Sequence, residues 1–376
     1  MRIVLAPNAF KGTHDAIEVA RAWEASLAGR AEVLARPLSD GGDGFLAVVR
    51  HYRPAVIEVA ARVPAPAGRA IPAHWGWDPE GGTAFLESAA ALGLARVEPA
   101  DQDPLALTSA GLGRLILTAA GLAPEEIVVG LGGSATVDGG LGMARSLGYA
   151  FEDSQERPIA RPEGLARLAR IRPPDRPAIE RTEILALADV TAPLHGPAGA
   201  ARRFGPQKGA DTEAVERLAE GLERLAERWV ADLGVPADLA GRAGAGAAGG
   251  LGGALAAFLG ARIASGAAWC GGLAGLDEAL ARADVVVTGE GRFDRQSAEG
   301  KATGHVLARA RAAGVPAAVV CAEAGRGAEA PDAGDAIVVD GTAIGRSPRD
   351  ALGLDDLVRL LDVALGRRGG DARRGG

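Results

Sequence analysis

The glycine-rich segment Ile127–Met143 holds the densest group of residues that could do chemistry. It reads I-V-V-G-L-G-G-S-A-T-V-D-G-G-L-G-M, a β-branched run, then a glycine loop, then small apolar residues typical of a helix. A glycine turn at a helix N-terminus exposes backbone N–H groups that can hold a phosphate or carboxylate. The segment therefore predicts an anion-binding loop and points to phosphate transfer. Its candidate binding residues are Gly132, Gly133, Ser134, Thr136 and Asp138.

The same segment allows other interpretations. Gly130–Ala135 fits the G-x-G-x-x-A dinucleotide pattern, and Glu152 and Asp153 lie about twenty residues further on, where a ribose-binding acid is expected. This would indicate a nicotinamide-dependent oxidoreductase. The loop is also similar to the phosphate loop of galactokinase-type kinases, and a tight turn at a helix start is the purely structural alternative. Gly244–Gly249 matches G-x-G-x-x-G, but no predicted strand precedes it.

Polar loops follow two predicted strands near the N-terminus. A-P-N-A-F-K-G (Ala6–Gly12) comes after the first strand, and S-D-G-G-D-G (Ser39–Gly44) after the second. The carboxyl ends of parallel strands form the crevice where such sheets bind ligands. An ordinary connection with a surface lysine and a solvated turn are the alternatives. The candidate ligand-binding residues are Asn8, Lys11, Asp40 and Asp43.

Carboxylates and lysines recur in later loops. Asp189 stands at the end of another predicted strand, and Gln207 and Lys208 lie on a glycine-flanked loop. Thr288–Asp294, T-G-E-G-R-F-D, places Glu290 and Asp294 after a strong strand, with Lys301 close behind. A carboxylate pair beside a lysine suits divalent-metal binding and proton acceptance from a hydroxyl. The Walker A pattern is absent, and the five histidines lack the spacing of a zinc site.

Short buried strands that alternate with helices must position these loops. This pattern predicts an α/β fold with a parallel, doubly wound sheet. The predicted strands are Arg2–Ala6, Glu32–Pro37, Val56–Ala61, Ala70–Trp77, Asp284–Thr288, Pro316–Cys321 and Asp335–Asp340. The predicted helices are Ala16–Leu27, Leu105–Ala120, Thr212–Leu233, Ala298–Ala312 and Ala351–Leu365.

Two domains and a tail are expected from the change in pattern along the chain. Residues 1–78 plus 277–365 are predicted to form a discontinuous Rossmann-like domain that is split between the termini. Residues 79–276, with their long helices and Gly/Ala-rich connections, are predicted to form an inserted α/β domain. Residues 366–376 are rich in Gly and Arg, lack an apolar face, and are predicted to be disordered.

Composition limits the classes of partner that the protein is expected to bind and the cellular compartment in which it is expected. The formal net charge of −7 argues against a general nucleic-acid binder, because no cationic excess exists to neutralise phosphates. The uncharged stretch Ala243–Ala261 is mostly Gly and Ala, so a membrane span is not expected. Two cysteines and an N-terminus without a signal pattern favour the cytoplasm.

Seven segments, taken in order, resemble the glycerate kinase family, type I. They are A-P-N-A-F-K-G (Ala6–Gly12), S-D-G-G-D-G (Ser39–Gly44), G-L-G-G-S-A-T-V-D-G-G (Gly130–Gly140), A-D-V-T-A-P-L (Ala188–Leu194), F-G-P-Q-K-G-A (Phe204–Ala210), G-A-G-A-A-G-G-L-G (Gly244–Gly252) and T-G-E-G-R-F-D (Thr288–Asp294). Several of them are weak alone, but seven in family order are specific. The similarity reaches Lys301 and covers most of the chain.

The resemblance implies what the enzyme does. It implies a two-domain α/β kinase that uses ATP and Mg²⁺ to phosphorylate D-glycerate to 2-phosphoglycerate, and it leaves a homo-oligomer open. Lys11 and Lys208 are expected to bind anionic groups. Asp189 or Asp294 is expected to accept the substrate proton or to hold the metal, and Gly246 is expected to line the binding site.

The chain departs from the family pattern at a few positions. Asn8-Ala9 stands where the family usually has Asp-Ser, Ala192 where it has Asn, and Thr303 where it has Pro. Asn8 removes one negative charge from a ligand loop. These departures motivate the alternative of a non-catalytic or altered-specificity homologue that binds hydroxy acids.

Overall fold

The chain folds into two compact units in a computed structural model, which describes residues 1–10, 12–177, 179–298, 301–327, 330–347 and 351–371. Unit 1 comprises Met1–Asp40, Ala47–Tyr52 and Ser265–Gly376. Unit 2 comprises Gly41–Leu46 and Arg53–Ala264. The S-D-G-G-D-G segment is thus divided after Asp40, and its Gly41–Gly44 part belongs to unit 2.

Strands and helices alternate along most of the described chain. The strands are β1 (Arg2–Pro7), β2 (Glu32–Ala35), β3 (Ile57–Pro64), β4 (Ala70–Asp78), β5 (Thr83–Glu87), β6 (Glu126–Gly130), β7 (Ala150–Asp153), β8 (Leu168–Arg172), β9 (Glu183–Leu187), β10 (Arg262–Ala264), β11 (Val285–Phe293), β12 (Ala317–Ala324) and β13 (Ile337–Val339). The helices are α1 (Ala16–Ser26), α2 (Phe45–Tyr52), α3 (Ser88–Leu92), α4 (Ala110–Ala120), α5 (Leu141–Ser146), α6 (Ala200–Phe204), α7 (Thr212–Leu233), α8 (Ala247–Leu259), α9 (Gly266–Leu273), α10 (Leu276–Leu280), α11 (Arg295–Ala298), α12 (Ala302–Ala313) and α13 (Leu354–Asp371).

The sheet of unit 1 is parallel throughout its described strands. Its strand order is β13-β12-β11-β1-β2, and the order reverses between β1 and β11. Ile3 and Leu5 pack in one apolar cluster with residues of α1 and α13, while Val4 between them is equally buried outside that cluster. Both faces of the sheet are therefore covered, as expected when apolar runs form parallel strands.

The sheet of unit 2 is mixed. Its strand order is β10-β9-β6-β5-β4-β3; the neighbours from β10 to β5 are parallel, and β5, β4 and β3 pair antiparallel. Helix α7 begins at the N-cap Asp211 and buries Leu218, Leu222 and Leu225 on one face. The helical spacing of apolar residues in the sequence predicted α7 with the bounds that the structure shows, Thr212 to Leu233.

The α/β class with parallel sheets is confirmed, but the expected boundaries differ from the observed division. Residues 57–78 belong to unit 2, because β4 pairs with β5 and carries β3 into the six-stranded sheet. Ser265–Leu276 falls in unit 1 rather than in the insert. The tail predicted to be disordered from residue 366 begins inside α13, which runs to Asp371; residues 372–376 lie outside the described residues.

The predicted helix from Leu105 begins only at Ala110. Thr108 donates its amide to Pro66 O, and Ser109 donates both its amide and its hydroxyl to Asp138. These contacts hold the preceding residues outside the helix. No helix in the described part of the chain is long and apolar enough to cross a membrane.

Helix α8 begins with an irregular glycine turn that packs against the anion-loop segment. Gly249 has φ +74°, and a Cβ on it would overlap the carbonyl oxygen of Thr136. The amide of Gly139 donates to Gly249 O at 3.0 Å. Glycine is required here for both its left-handed backbone and the close approach of two backbone segments.

We expect Gly249→Ala to destabilise the protein by about 2–3 kcal/mol more than Gly234→Ala, because its methyl group would displace buried backbone. Gly234 is the matched control, since it also has a left-handed φ, +67°, but its Cβ would meet no atom within 4 Å. Denaturant unfolding followed by circular dichroism measures both variants. Equal losses in the two would contradict the packing argument.

Candidate functional site

Three parallel strands of unit 2 end at one edge of the sheet. Glu87, Gly130 and Leu187 are partners in register at the carboxyl ends of β5, β6 and β9. The anion loop follows Gly130, and Asp189, which is half-buried, follows Leu187. The structure thus brings two of the sequence-predicted features to the same edge, where parallel sheets bind ligands.

The turn Gly41–Leu46 packs onto the anion loop in unit 2. A Cβ on Gly130 would overlap Gly41 O, and a Cβ on Gly132 would lie too close to Gly42 Cα. Asp43 lies beside Gly133, its Oδ1 3.0 Å from the position of a Cβ there. Two motifs that are far apart in the sequence therefore form one structure, which joins Asp43 to Gly132 and Gly133.

The exposed part of the anion loop lies at Gly133. Gly133 has φ +66° and is exposed, and the neighbouring Ser134 is buried. The carbonyl of Gly133 accepts from the Leu94 amide, whereas the amides of Gly133 and Ser134 donate to no acceptor within the described residues. These two N–H groups are the donors that the loop leaves available to an anion.

The structure places Asp138 in the interior of the anion-loop segment, and its role in ligand binding stays a prediction. It is fully buried, and its carboxylate accepts from the amides of Ser109, Gly140 and Gly142 at 2.7–3.1 Å and from the Ser109 hydroxyl at 2.8 Å. It therefore occupies the N-terminus of α5, which the sequence analysis assigned to an anion. Burial raises the pKa of this carboxyl, and the four hydrogen bonds oppose the rise.

Lys208 lies beneath the anion loop and braces it. Only 5% of its surface is exposed, and its Nζ donates to Ser134 Oγ at 3.2 Å and to Thr136 O at 2.8 Å. Burial lowers the pKa of Lys208 to about 7, and the charge of Asp138 opposes the shift. The binding of an anionic group by Lys208 stays a prediction, and the structure shows its Nζ bonded within the loop. Its role in the structure is to hold the loop from within.

Three further candidates in unit 2 differ in exposure. Thr136 is fully buried, so its hydroxyl is no surface ligand. Gln207 is exposed on the short turn Pro206–Lys208. Gly246 donates its amide to Ala192 O at 2.9 Å, and a Cβ on it would overlap the Pro193 carbonyl. The glycine at 246 is thus explained by backbone packing.

The acids that a dinucleotide site would need are engaged elsewhere in unit 2. Glu152 accepts from Arg172 Nε at 2.7 Å across the β7–β8 hairpin. Asp153 accepts from Arg157 Nε at 2.7 Å and from the Gln155 and Arg157 amides. These carboxylates hold a hairpin together, which removes the support for a nicotinamide cofactor.

Glu87 is a residue that the sequence analysis missed. Its Oε1 accepts at 2.6 Å from the amide of Leu46, the second residue of α2, which directly follows the turn that carries Asp43. Burial raises the pKa of Glu87 to about 7, the charges of Asp43 and Glu58 add to the rise, and the Leu46 and Gly44 amides oppose it. The signal was a carboxylate that ends the otherwise apolar strand T-A-F-L-E.

Unit 1 has a polar edge of its own at the reversal of strand order. Asn8 follows β1, is 4% exposed, and donates its amide to Gly289 O of β11 at 2.8 Å. Its Oδ1 accepts from the Ala9 amide at 2.8 Å. Asn8 therefore stands at the position where doubly wound sheets bind ligands. Lys11, predicted to act beside it, lies outside the described residues.

Glu290 is the centre of a carboxylate cluster in unit 1. It is 8% exposed, its Oε2 accepts from Ser297 Oγ at 3.1 Å, and its Oε1 has no hydrogen-bond partner within the described residues. Burial raises its pKa to about 7, and the charge of Asp40 adds to the rise, whereas the charge of Lys301 opposes it. Three predicted residues, Asp40, Glu290 and Lys301, thus interact electrostatically.

Asp294 lies next to this cluster. Its Oδ1 accepts from the Ser297 amide at 3.1 Å, at the start of α11, and its Oδ2 is 3.6 Å from Arg292 Nε. Its side chain remains 23% exposed. Ser297, which the sequence analysis did not select, donates to both Glu290 and Asp294 and links the two carboxylates.

The donors available to a metal are hard oxygens, as Mg²⁺ prefers. Among the described residues, no group of three or more His, Cys, Asp or Glu side chains could hold a metal ion by itself. Mg²⁺ needs no such group, because it commonly binds through one or two carboxylates together with water and substrate phosphates. Asp294 in unit 1 and Asp189 in unit 2 each provide such a carboxylate.

A parallel sheet whose edge carries an exposed glycine loop and nearby carboxylates has the features that an α/β phosphotransferase needs. The chain matches the glycerate kinase family over residues 3–347. It is 40% identical over 309 residues to the glycerate kinase of Haemophilus influenzae and to the glycerate 2-kinase of Escherichia coli K12, with 80% of each chain covered. A crystal structure from Salmonella typhimurium LT2, assigned as glycerate kinase 2, aligns with a TM-score of 0.77 and 36% identity over 99% of both chains. The chain therefore belongs to the glycerate kinase family, and it is an enzyme that transfers a phosphoryl group to an alcohol.

We expect Glu290→Gln to stabilise the protein relative to the wild type as pH rises. The pKa of Glu290 is raised in the folded state, so its favourable contribution is complete below the unfolded value of 4.5 and is lost as pH rises through about 7. A neutral glutamine avoids this loss, which corresponds to roughly 1–3 kcal/mol at pH 8.

Thermal unfolding of both proteins at pH 5 and pH 8 measures this difference. The exposed Glu24→Gln on α1 is the control for the loss of one carboxylate elsewhere in unit 1. A Glu290→Gln difference that is the same at both pH values would show that the buried carboxyl does not titrate in this range.

Proposed function

We propose that this protein uses ATP and Mg²⁺ to phosphorylate D-glycerate, with 2-phosphoglycerate as the product. The observation that carries the proposal is the packing of the Asp43 turn onto the anion loop, which places the Asp43 carboxylate beside the exposed residue Gly133, whose amide donates to no acceptor within the described residues. Relatives named glycerate kinase and glycerate 2-kinase support the substrate and the position of the new phosphate.

The residues of unit 2 suit the phosphate side of this reaction. Phosphoryl transfer requires positioning and charge neutralisation more than covalent chemistry. The amides of Gly133 and Ser134 would donate to phosphate oxygens, and Lys208 would keep the loop in the shape that presents them. Asp43 and Asp189 would hold Mg²⁺ together with phosphate oxygens. The ion would neutralise charge on the transferred group.

Unit 1 offers its own candidate groups for an anionic substrate. Asn8 offers an amide side chain at the edge where the strand order reverses, and Lys11 and Lys301 supply cations for a carboxylate or phosphate. Asp294 is partly exposed, its Oδ1 accepts from Ser297 and its Oδ2 lies 3.6 Å from Arg292 Nε, and its carboxylate could accept the proton of the reacting hydroxyl. These assignments are proposals about residue roles.

The cytoplasm is the proposed location. Cys270 and Cys321 are both buried and form no disulfide in the described part of the chain, and this suits a reducing compartment where thiols persist. ATP is also abundant in that compartment.

We expect the purified protein to convert D-glycerate and ATP to 2-phosphoglycerate and ADP only when Mg²⁺ is present. Phosphorus NMR of the products distinguishes the 2-phosphate from the 3-phosphate, and a panel of small hydroxy acids tests substrate choice. Formation of 3-phosphoglycerate alone would overturn the regiochemistry. No turnover on any hydroxy acid would favour a homologue that binds without catalysis.

We expect Asp189→Asn and Asp294→Asn each to lower kcat by about 10²-fold or more, because a lost metal ligand or general base removes that much. Both side chains lie in loops or at a helix start and contribute little to the apolar core. Circular dichroism checks the fold, and Asp211→Asn, a substitution at the N-cap of α7, is the control. Wild-type kcat in both variants would place the chemistry elsewhere.

A further inference from the structure

Glu87 connects strand β5 to the turn that bears Asp43. It is the last residue of β5, in register with Gly130 at the carboxyl edge of the sheet. Its Oε1 accepts from the Leu46 amide, 41 positions away in the sequence, at 2.6 Å. The Gly44 amide also interacts with this carboxylate. The Glu87 side chain therefore accepts hydrogen bonds from the backbone amides of the two residues that flank Phe45 in the sequence.

The same turn places Asp43 against the anion loop. Asp43 Oδ1 is 3.0 Å and its Oδ2 3.1 Å from the position of a Cβ on Gly133. Gly41 and Gly42 contact Gly130 and Gly132 so closely that a side chain would not fit there. The position of Asp43 thus depends on the contacts that hold the turn in place. Glu87 provides one of these contacts, through the backbone amides that follow Asp43 in the sequence.

We propose that Glu87 is a positioning residue for phosphoryl transfer. It fixes the turn Gly41–Leu46 and so places the Asp43 carboxylate beside the exposed Gly133 amide. This inference rests on the proposed function, in which that amide and that carboxylate serve the phosphate and its metal ion.

A carboxylate suits this task better than an amide would. Two backbone N–H groups point at one side chain, and an ionised carboxylate is an acceptor at both oxygens. Glutamine can accept with only one oxygen, and its NH₂ group would face a donor. The charged groups that act on Glu87 are Asp43 on the turn and Glu58 on β3, both negative.

The charge of Glu87 should matter near neutral pH. Its pKa is raised to about 7, so the ionised form that accepts best predominates above that pH and is lost below it. The turn should therefore be held most firmly on the alkaline side. A residue that only fills space would not produce such a dependence.

The test compares Glu87→Ala and Glu87→Gln with the wild type, using ATP, Mg²⁺ and D-glycerate. Glu126→Gln is the matched control, because Glu126 is a partly buried carboxyl whose pKa burial also raises, at the opposite end of the neighbouring strand β6. We expect kcat/KM for ATP to fall about 10- to 100-fold in Glu87→Ala, as for other residues that orient metal ligands. Glu87→Gln should retain part of the activity, and Glu126→Gln nearly all of it.

The pH dependence separates positioning from packing. The ratio of wild-type to Glu87→Gln kcat/KM should decrease as pH falls from 8 to 6, because both proteins then hold the turn with a neutral side chain. Taking this ratio cancels other groups that titrate in the same range, Glu290 included. A constant ratio, or activity equal to wild type in Glu87→Gln and Glu87→Ala, would overturn the inference.

Hydrogen exchange supplies a readout that does not depend on turnover. Amides of the peptide that contains Gly41–Leu46 should exchange faster in Glu87→Ala than in the wild type and in Glu126→Gln. If the wild type fails to phosphorylate any hydroxy acid, the proposed function fails, and unchanged exchange would then overturn the anchoring role separately. If Glu87→Ala does not fold, Glu87→Gln carries the same comparison.

Discussion

The contact between two glycine backbones is the constraint on which the site of unit 2 depends. Gly41 and Gly42 meet Gly130 and Gly132 at distances that exclude any Cβ atom, so no other residue type fits at 130 or 132 without moving the backbone. A Cβ at position 130 or 132 would lie 2.3 Å from Gly41 O or 2.5 Å from Gly42 Cα, so a side chain would push the two segments apart by about 1 Å. Asp43 would then lie farther from Gly133. The glycines allow the two backbone segments to come this close. The N–H groups that remain available to an anion result from this close contact.

Buried charged side chains hold the loops in place, and their burial reduces the free energy of unfolding. Asp138 and Lys208 are fully or almost fully buried, and burial shifts the pKa of each toward its neutral form. Glu87 and Glu290 carry the same penalty, with pKa values raised to about 7. Isolated charges in such positions would destabilise the fold. They persist because each accepts or donates hydrogen bonds that fix a loop. The protein is therefore less stable than it would be without these buried charges, but its loops have a defined geometry.

The sequence was sufficient for the features that depend on local pattern. The apolar spacing of Thr212–Leu233 and the buried run after Met1 predicted a helix and a strand correctly. The order of seven motifs predicted the family. Contacts between distant segments were not predictable in this way, because burial and pairing arise only after folding. Asp138 therefore looked like a ligand although it caps α5, and Glu87 was missed because its partner is 41 residues away.

The departure at Asn8 can be understood from the charge already present in unit 1. Glu290 is buried, and the charge of Asp40 raises its pKa further, whereas the charge of Lys301 and the hydroxyls of Thr303 and Ser297 oppose the rise. An aspartate at position 8, where the family pattern has one, would add a third carboxylate next to β11, since the Asn8 amide bonds to Gly289, the residue before Glu290. Asparagine keeps the oxygen that the Ala9 amide requires and removes the charge. Asparagine at position 8 therefore keeps the hydrogen bond to Ala9 and carries no charge, and the effect of this difference should be sought in ligand binding at that edge.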